Sequence, residues 1–299
     1  MWVAPPKNVR SHGWRSQAYT DVFTAVFGRG DPHATARSQI NQAQGQLLSH
    51  DKRGNTVGRL FEQIDSQPSE IGEITLRRRR IPALGDRDIF EVKLGEEFLM
   101  SSMFVDAEVA LSDLGLGEAE GDNLSVVVGG LGLGYTAVAA LKHERVSELL
   151  IVEYLEPVIR WHQQEYVPLG KDINADARSR YIHGSFFDLA IADPESGGFD
   201  PEAPGKEFDA ILLDIDHSPR ALLNDSNASF YTTENISRMA RQLKTRGIFA
   251  MWSNEGEDAV FMDILREIFT DVVCHVVSFY NPFQNRESFN TVYLARKPG

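Results

Sequence analysis

Gly130, Gly132 and Gly134 follow the apolar run Val126-Val127-Val128, and a second apolar run, Ile151-Val152-Glu153, ends in an acid about twenty residues further on. A glycine-rich turn lets the backbone bend sharply and approach a ligand where any Cβ would collide with it. Glu153, at the end of its run, is placed where a carboxylate can accept both hydroxyls of a ribose. A third group, His183-Gly184-Ser185-Phe186-Phe187-Asp188, offers Ser185 to a base amino group and Phe186 or Phe187 as a surface for the ring. The same residues also fit core phenylalanines with Asp188 capping a helix. The fourth group, Leu213-Asp214-Ile215-Asp216-His217-Ser218-Pro219, brings two carboxylates and an imidazole together. Such a set can strip a proton from an amine or hold a cation, so Asp214, Asp216 and His217 are the candidate catalytic residues. Downstream, Asn224, Asn227, Tyr231 and Thr232 populate a loop that would fold over the same mouth, with Tyr231 facing a substrate. Upstream, Met100-Ser101-Ser102 and Asp106 and Glu108 would reach it too. No other spaced His/Asp cluster completes a metal site, so no metal is expected.

These residues need elements to position them, and the pattern supplies them in alternation. Strands are expected at 125–128, 148–153, 180–182, 208–214 and 247–253, with helices at 135–142, 157–166, 233–243 and 258–269 between them. Segments 272–279 and 291–295 then form two closing strands. The alternation implies an α/β fold: a doubly wound, mostly parallel, seven-stranded Rossmann-like sheet with an antiparallel edge. Ligands of such sheets lie beyond the carboxyl ends of the strands, which is where the four groups fall. Segments 73–80, 88–94 and 97–101 predict a small N-terminal β element, and 106–114 a linker helix. The domains expected are therefore an extension over 1–71, partly disordered and with a short helix over 56–64, a β domain with its linker over 72–115, and a nucleoside-binding domain over 116–299. Arg77-Arg78-Arg79-Arg80 is expected on an exposed strand or its end, as a solvated edge, with a subunit contact or a phosphate site as the alternative.

Composition narrows the class. A formal net charge of -13 over 299 residues argues against a nucleic-acid partner and suits a cationic small molecule. Cys274 is the only cysteine, which excludes an internal disulfide. No apolar run approaches the ~20 residues of a membrane span, and the first residues lack the apolar stretch of a signal peptide. A cytoplasmic protein with no membrane partner is expected, and a homodimer is allowed without being required.

The 126–136 turn, Ile151-Val152-Glu153 and Phe208-Asp209-Ala210-Ile211-Leu212-Leu213-Asp214 together resemble the spermidine synthase family of aminopropyltransferases, over roughly 72–297. Leu99-Met100-Ser101-Ser102 looks like that family's linker into its core. The resemblance implies a methyltransferase-like Rossmann domain behind a small β domain. It implies that Glu153 holds the ribose of decarboxylated S-adenosylmethionine, and that Asp214 orients or deprotonates the attacking amine of putrescine. The family's turn carries an Asp just before its last matched glycine, where this chain has Leu133, and its adenine-contacting Asp is here Ser185. The loop from Asp214 keeps its acids at altered spacing. The sequence therefore leaves three functions open: aminopropyl transfer to a polyamine, methyl transfer from intact S-adenosylmethionine, and nucleoside binding without catalysis.

Overall fold

The computed structural model describes residues 60–82, 85 and 87–299. Four strands come first: β1 (Phe61–Ser69), β2 (Gly72–Ile81), β3 (Arg87–Leu94) and β4 (Glu97–Ser101), an antiparallel sheet in the order β1-β2-β3-β4. The extension expected over 1–71 thus contributes a strand. Phe61, Glu62, Gln63 and Ile64, placed by their sequence in a helix, lie in β1, and the rest of that expected helix falls outside the described residues. Long-range pairing with β2 overrides a weak local signal there.

The arginine run is also corrected. β2 is an interior strand between β1 and β3 rather than an exposed edge. Each arginine has a cross-strand acid: Arg77 and Arg79 grip the buried Glu91 from either side at 2.6 and 2.5 Å, Arg78 meets Glu62 at 2.6 Å, and Arg80 meets Asp88 at 2.8 Å. The run neutralises acids of its own sheet, so it offers no unpaired cluster to a phosphate.

α1 (Asp106–Glu118) leads into the second sheet: β5 (Leu124–Gly129), α2 (Tyr135–Leu141), β6 (Val146–Glu153), α3 (Glu156–Gln163), α4 (Gly170–Ala175), β7 (Ser179–His183), α5 (Phe186–Ile191), β8 (Phe208–Leu213), α6 (Thr233–Ala240), β9 (Leu243–Ser253), α7 (Ala259–Ile268), β10 (Thr270–Asn281) and β11 (Arg286–Arg296). Its strand order is β10-β11-β9-β8-β5-β6-β7, with β11 inserted antiparallel between β9 and β10. The expected doubly wound sheet with an antiparallel edge is what forms. Alternate side chains explain it. Val126 and Val128 enter one core with α1 to α4, while Val127 enters the other with α5 to α7. Ile74, Leu76 and Val92 of the small sheet join the first core. No helix among the described residues is long and apolar enough to cross a membrane.

From β5 the chain winds outward through β6 and β7, then returns to the other side of β5 through β8 and β9. The reversal opens a crevice beyond the carboxyl ends of β5 and β8, the place where open α/β sheets bind ligands.

Candidate nucleoside and amine site

A cavity of about 280 Å³ lies over that crevice. Its floor is the glycine turn (Gly130, Gly132) with Glu153 and Asp214; its opposite wall is the small sheet (Ile74, Val92, Leu99, Met100). Ser185, Phe186, Phe187, Asp188 and Ile191 line one end, and the loop through Leu223, Asn224, Ser226, Asn227, Ser229 and Phe230 closes over it.

The glycines earn their places for a reason other than ligand approach. A Cβ on Gly130, at φ +93°, would sit 2.1 Å from the carbonyl oxygen of Asp214. One on Gly132 would meet the Met100 sulfur at 2.7 Å, and one on Gly134 the His162 ring at 2.8 Å. The turn is therefore tight because β8, β4 and α3 all close on it, and only then does it face a ligand. Leu133 points away from the cavity into the core. The position of the family's Asp is thus taken by a buried leucine outside the cavity lining.

Glu153 ends β6 with Oε2 accepting the Leu131 amide at 3.0 Å and Oε1 accepting the Leu155 amide at 2.8 Å. Burial pushes its carboxyl up, while those amides and the amides of Gly132 and Tyr154 pull it back. The carboxylate lines the cavity floor.

Asp214 follows β8, its amide donating to the Gly129 carbonyl at 2.8 Å. Thr136, at the start of α2, donates its hydroxyl to Asp214 Oδ2 at 2.5 Å. Four residues after Glu108 on the same face of α1, Ser112 donates to the Thr136 carbonyl at 2.7 Å, so α1 presents Glu108 toward Asp214. Desolvation raises the Asp214 carboxyl to about 6 despite the Thr136 bond. Glu108 is raised to about 8, first by desolvation and then by the charge on Asp214. Glu108 does not line the cavity, but the two carboxyls feel each other's charge and do not both ionise readily at neutral pH.

Asp216 has a different job. It is 3% exposed, Oδ1 accepts the Leu223 amide at 2.7 Å and Asn227 Nδ2 at 2.8 Å, and Oδ2 accepts the Tyr231 hydroxyl at 2.8 Å. The candidate acid and the candidate substrate residue are spent on each other, holding the loop that closes the cavity. Neither residue lines it, nor does His217, whose carbonyl accepts the Asn254 amide at 2.7 Å. Asp216→Asn is expected to loosen the loop: stability falls by about 1–3 kcal/mol, the usual cost of an unmatched buried polar group, and nucleoside affinity weakens while turnover at saturating ligand persists. Loss of turnover at saturation with unchanged stability would return Asp216 to the catalytic set.

Ser185 caps α5, its Oγ accepting the Asp188 amide at 3.2 Å, so Ser185 rather than Asp188 is the capping residue. Phe186 is a core residue, 1% exposed and packed edge-on against Phe187 and Phe230 and tilted against Phe199, that also touches the cavity. Asp188 is free to face the ligand. Sequence reasoning nominated Met100 of the aliphatic wall, but not Ile74, Val92 or Leu99, and it nominated neither Thr136 nor Asp188 for the site. Thr136 had a usable signal, a hydroxyl in the first turn after the glycines; the rest of the wall had none.

Among the lining residues stand three acids, Glu153, Asp188 and Asp214, and no Lys, Arg or His. Among the described lining residues the site is electrostatically suited to a cation and offers an anionic group no cationic side chain.

At the level of sequence, no family model matches the chain and no curated protein matches it. Solved structures do match in fold. A spermidine synthase in complex with the transition-state analogue AdoDATO superposes with a TM-score of 0.59 at 18% identity, over 79% of this chain and 73% of the other. The spermidine synthase from Thermotoga maritima gives 0.58 at 17% identity, over 85% and 80%. The chain has a diverged, spermidine synthase-like fold.

Proposed function

We propose that this protein is a transferase that moves an aminopropyl group from decarboxylated S-adenosylmethionine to a polyamine such as putrescine. The observation that carries the reading is the cavity wall itself, with three carboxylates and no basic side chain. The decarboxylated ligand is cationic throughout, whereas intact S-adenosylmethionine brings a carboxylate that meets acids and no cationic side chain among the described lining residues. The fold shared with a spermidine synthase bound to AdoDATO adds support.

In this reading Glu153 accepts the ribose hydroxyls, and Ser185, Phe187, Asp188 and Ile191 surround the base. The bound sulfonium supplies an activated carbon: as the amine nitrogen bonds to it, the carbon–sulfur bond breaks and methylthioadenosine leaves with the electron pair. Asp214 and Glu108 receive the acceptor amine, and Asp214, with a carboxyl raised to about 6, takes the proton that the amine must lose to become a nucleophile. Thr136 fixes the orientation of that carboxylate through its hydroxyl. The aliphatic wall and the pinned loop exclude water from the carbon under attack.

Calorimetric titration with decarboxylated S-adenosylmethionine, intact S-adenosylmethionine and methylthioadenosine tests the proposal. Preference for the decarboxylated form is expected. Preference for the intact form points to methyl transfer and ends the aminopropyl reading; binding of none leaves a protein that does not use nucleosides.

The carboxyl pair makes a separate prediction. Both groups sit above their ordinary values of 4.5 and 3.8, so the folded chain keeps protons that the unfolded chain has released. Stability of the free protein is expected to fall as pH rises from about 4 through about 6 and about 8. Glu108→Gln, a neutral isostere, is expected to flatten the upper part of that slope, and putrescine to stabilise the wild type more at pH 8 than at pH 6. Urea unfolding at both pH values measures it; identical slopes in wild type and variant rule the coupling out.

A further inference from the structure

Three consecutive residues of α3 fasten both sides of the cavity to one helix. Trp161 Nε1 donates to Asp65 Oδ2 at 2.7 Å, and Arg160 donates to Gln67 Oε1. Both acceptors lie on β1, where the ladder with β2 shifts register between Gln63 and Asp65. The β1–β2 hairpin then gives Ile71 and Ile74 to the cavity wall. His162, the next residue, turns to the floor: its Nε2 lies 2.9 Å from the Gly132 carbonyl. The amide of Gly132 is in turn among those that bind Glu153. A carbonyl can only accept, so Nε2 carries the proton and the ring is the neutral tautomer. The other nitrogen, Nδ1, is buried with no partner among the described residues. Burial also pushes the His162 imidazolium down to about 4, so the neutral form persists at physiological pH. His162 and Trp161 are 0% and 1% exposed, which leaves the helix little freedom to shift under these ties. An orphaned buried nitrogen costs stability, and its retention here accompanies a side-chain bond from α3 to the turn.

We infer that Arg160, Trp161 and His162 act together as a positioning clamp that sets the gap between the small sheet and the glycine turn, and through it the fit of the nucleoside. None of the three acts on the reacting atoms. The inference rests on the nucleoside reading only for its ligand probe.

The test uses the full chain with Asp65→Ala, His162→Phe and His162→Gln. Asp65 is half-buried, and Asp65→Ala removes the Trp161 tie to the small sheet while leaving the Arg160–Gln67 tie. Amide hydrogen exchange at Leu131, Gly132 and Gly134 is expected to accelerate about tenfold in Asp65→Ala and in His162→Phe, as suits loss of one ordinary hydrogen bond. Methylthioadenosine is expected to bind about tenfold more weakly in both variants, the same single-bond effect. Maximal turnover stays close to wild type. His162→Gln, whose amide can donate to the Gly132 carbonyl, is expected to recover most of the loss. The clamp is overturned if Asp65→Ala changes exchange only within β1 and β2, or if His162→Gln is as defective as His162→Phe. A wild type that binds no methylthioadenosine refutes the nucleoside reading instead, and the exchange measurement still decides the clamp.

Discussion

Asp214→Asn is expected to lower putrescine turnover by about 10²–10⁴-fold, the usual contribution of a positioned acid–base group, while methylthioadenosine affinity stays within about twofold of wild type, because uncharged contacts to the nucleoside survive. β8 is buried on both faces and ends at Leu213, so the next side chain emerges at the mouth of the crevice with no freedom to retreat. Burial lifts its carboxyl to about 6, near the pH at which it must exchange a proton, and Thr136 fixes its direction. Asparagine keeps the shape and can still accept from Thr136 through its carbonyl oxygen, but it cannot take a proton. Glu108 loses its charged neighbour in this variant, so its carboxyl is expected to ionise more easily and to keep part of the amine affinity. A combined fall in kcat with little change in the amine KM is therefore the signature. If turnover survives within about tenfold, below the acid–base range, the proton goes elsewhere and Glu108 becomes the candidate.

Gly130→Ala has the largest expected effect on the fold. The new Cβ would lie 2.1 Å from the Asp214 carbonyl oxygen, at a φ of +93° that side-chain-bearing residues rarely adopt. Neither problem relaxes locally, because both partners are backbone. The Gly130 amide is bonded to the Val152 carbonyl at 2.9 Å, and the Asp214 amide to the Gly129 carbonyl at 2.8 Å. β5 and β8 would have to part. Strain and overpacking of this kind cost roughly 2–5 kcal/mol together. Because the displaced group is the backbone of Asp214, activity is expected to fall along with stability. Thermal unfolding measures the first; a variant that melts within about 2 °C of wild type, less than the shift for 1 kcal/mol, shows that the turn has more room than its geometry allows.

The two predictions also mark how differently the site's parts are written in the chain. Val126-Val127-Val128 before Gly130, and 208–213 before Asp214, are continuous apolar runs bounded by a turn residue or an acid. A strand buried on both faces requires such a run, so its carboxyl end can be located from composition alone. Glu153 is legible for the same reason. Pairing by proximity in sequence fails where the partner lies far along the chain. Asp216 and His217 are two and three residues from Asp214, yet Asp216 is absorbed by Leu223, Asn227 and Tyr231. Glu108 lies more than a hundred residues away and meets it. Leu133 sits within the glycine turn but belongs to the core, as Leu131 does.

The sequence by itself determined the α/β alternation, the doubly wound sheet with its antiparallel close, and the strand ends that carry Gly130, Glu153 and Asp214. Periodicity and turn chemistry are local, and a parallel sheet converts them into position with little ambiguity. Only the tertiary structure decided which polar groups are free and which are consumed. Arg77 to Arg80 became internal ion pairs, Asp216 and Tyr231 became the fastening of a loop, and His162 became the support of the turn. Those outcomes depend on what a side chain finds within about 3 Å, the reach of a hydrogen bond, and such neighbours are brought together by packing between segments that the linear chain keeps far apart.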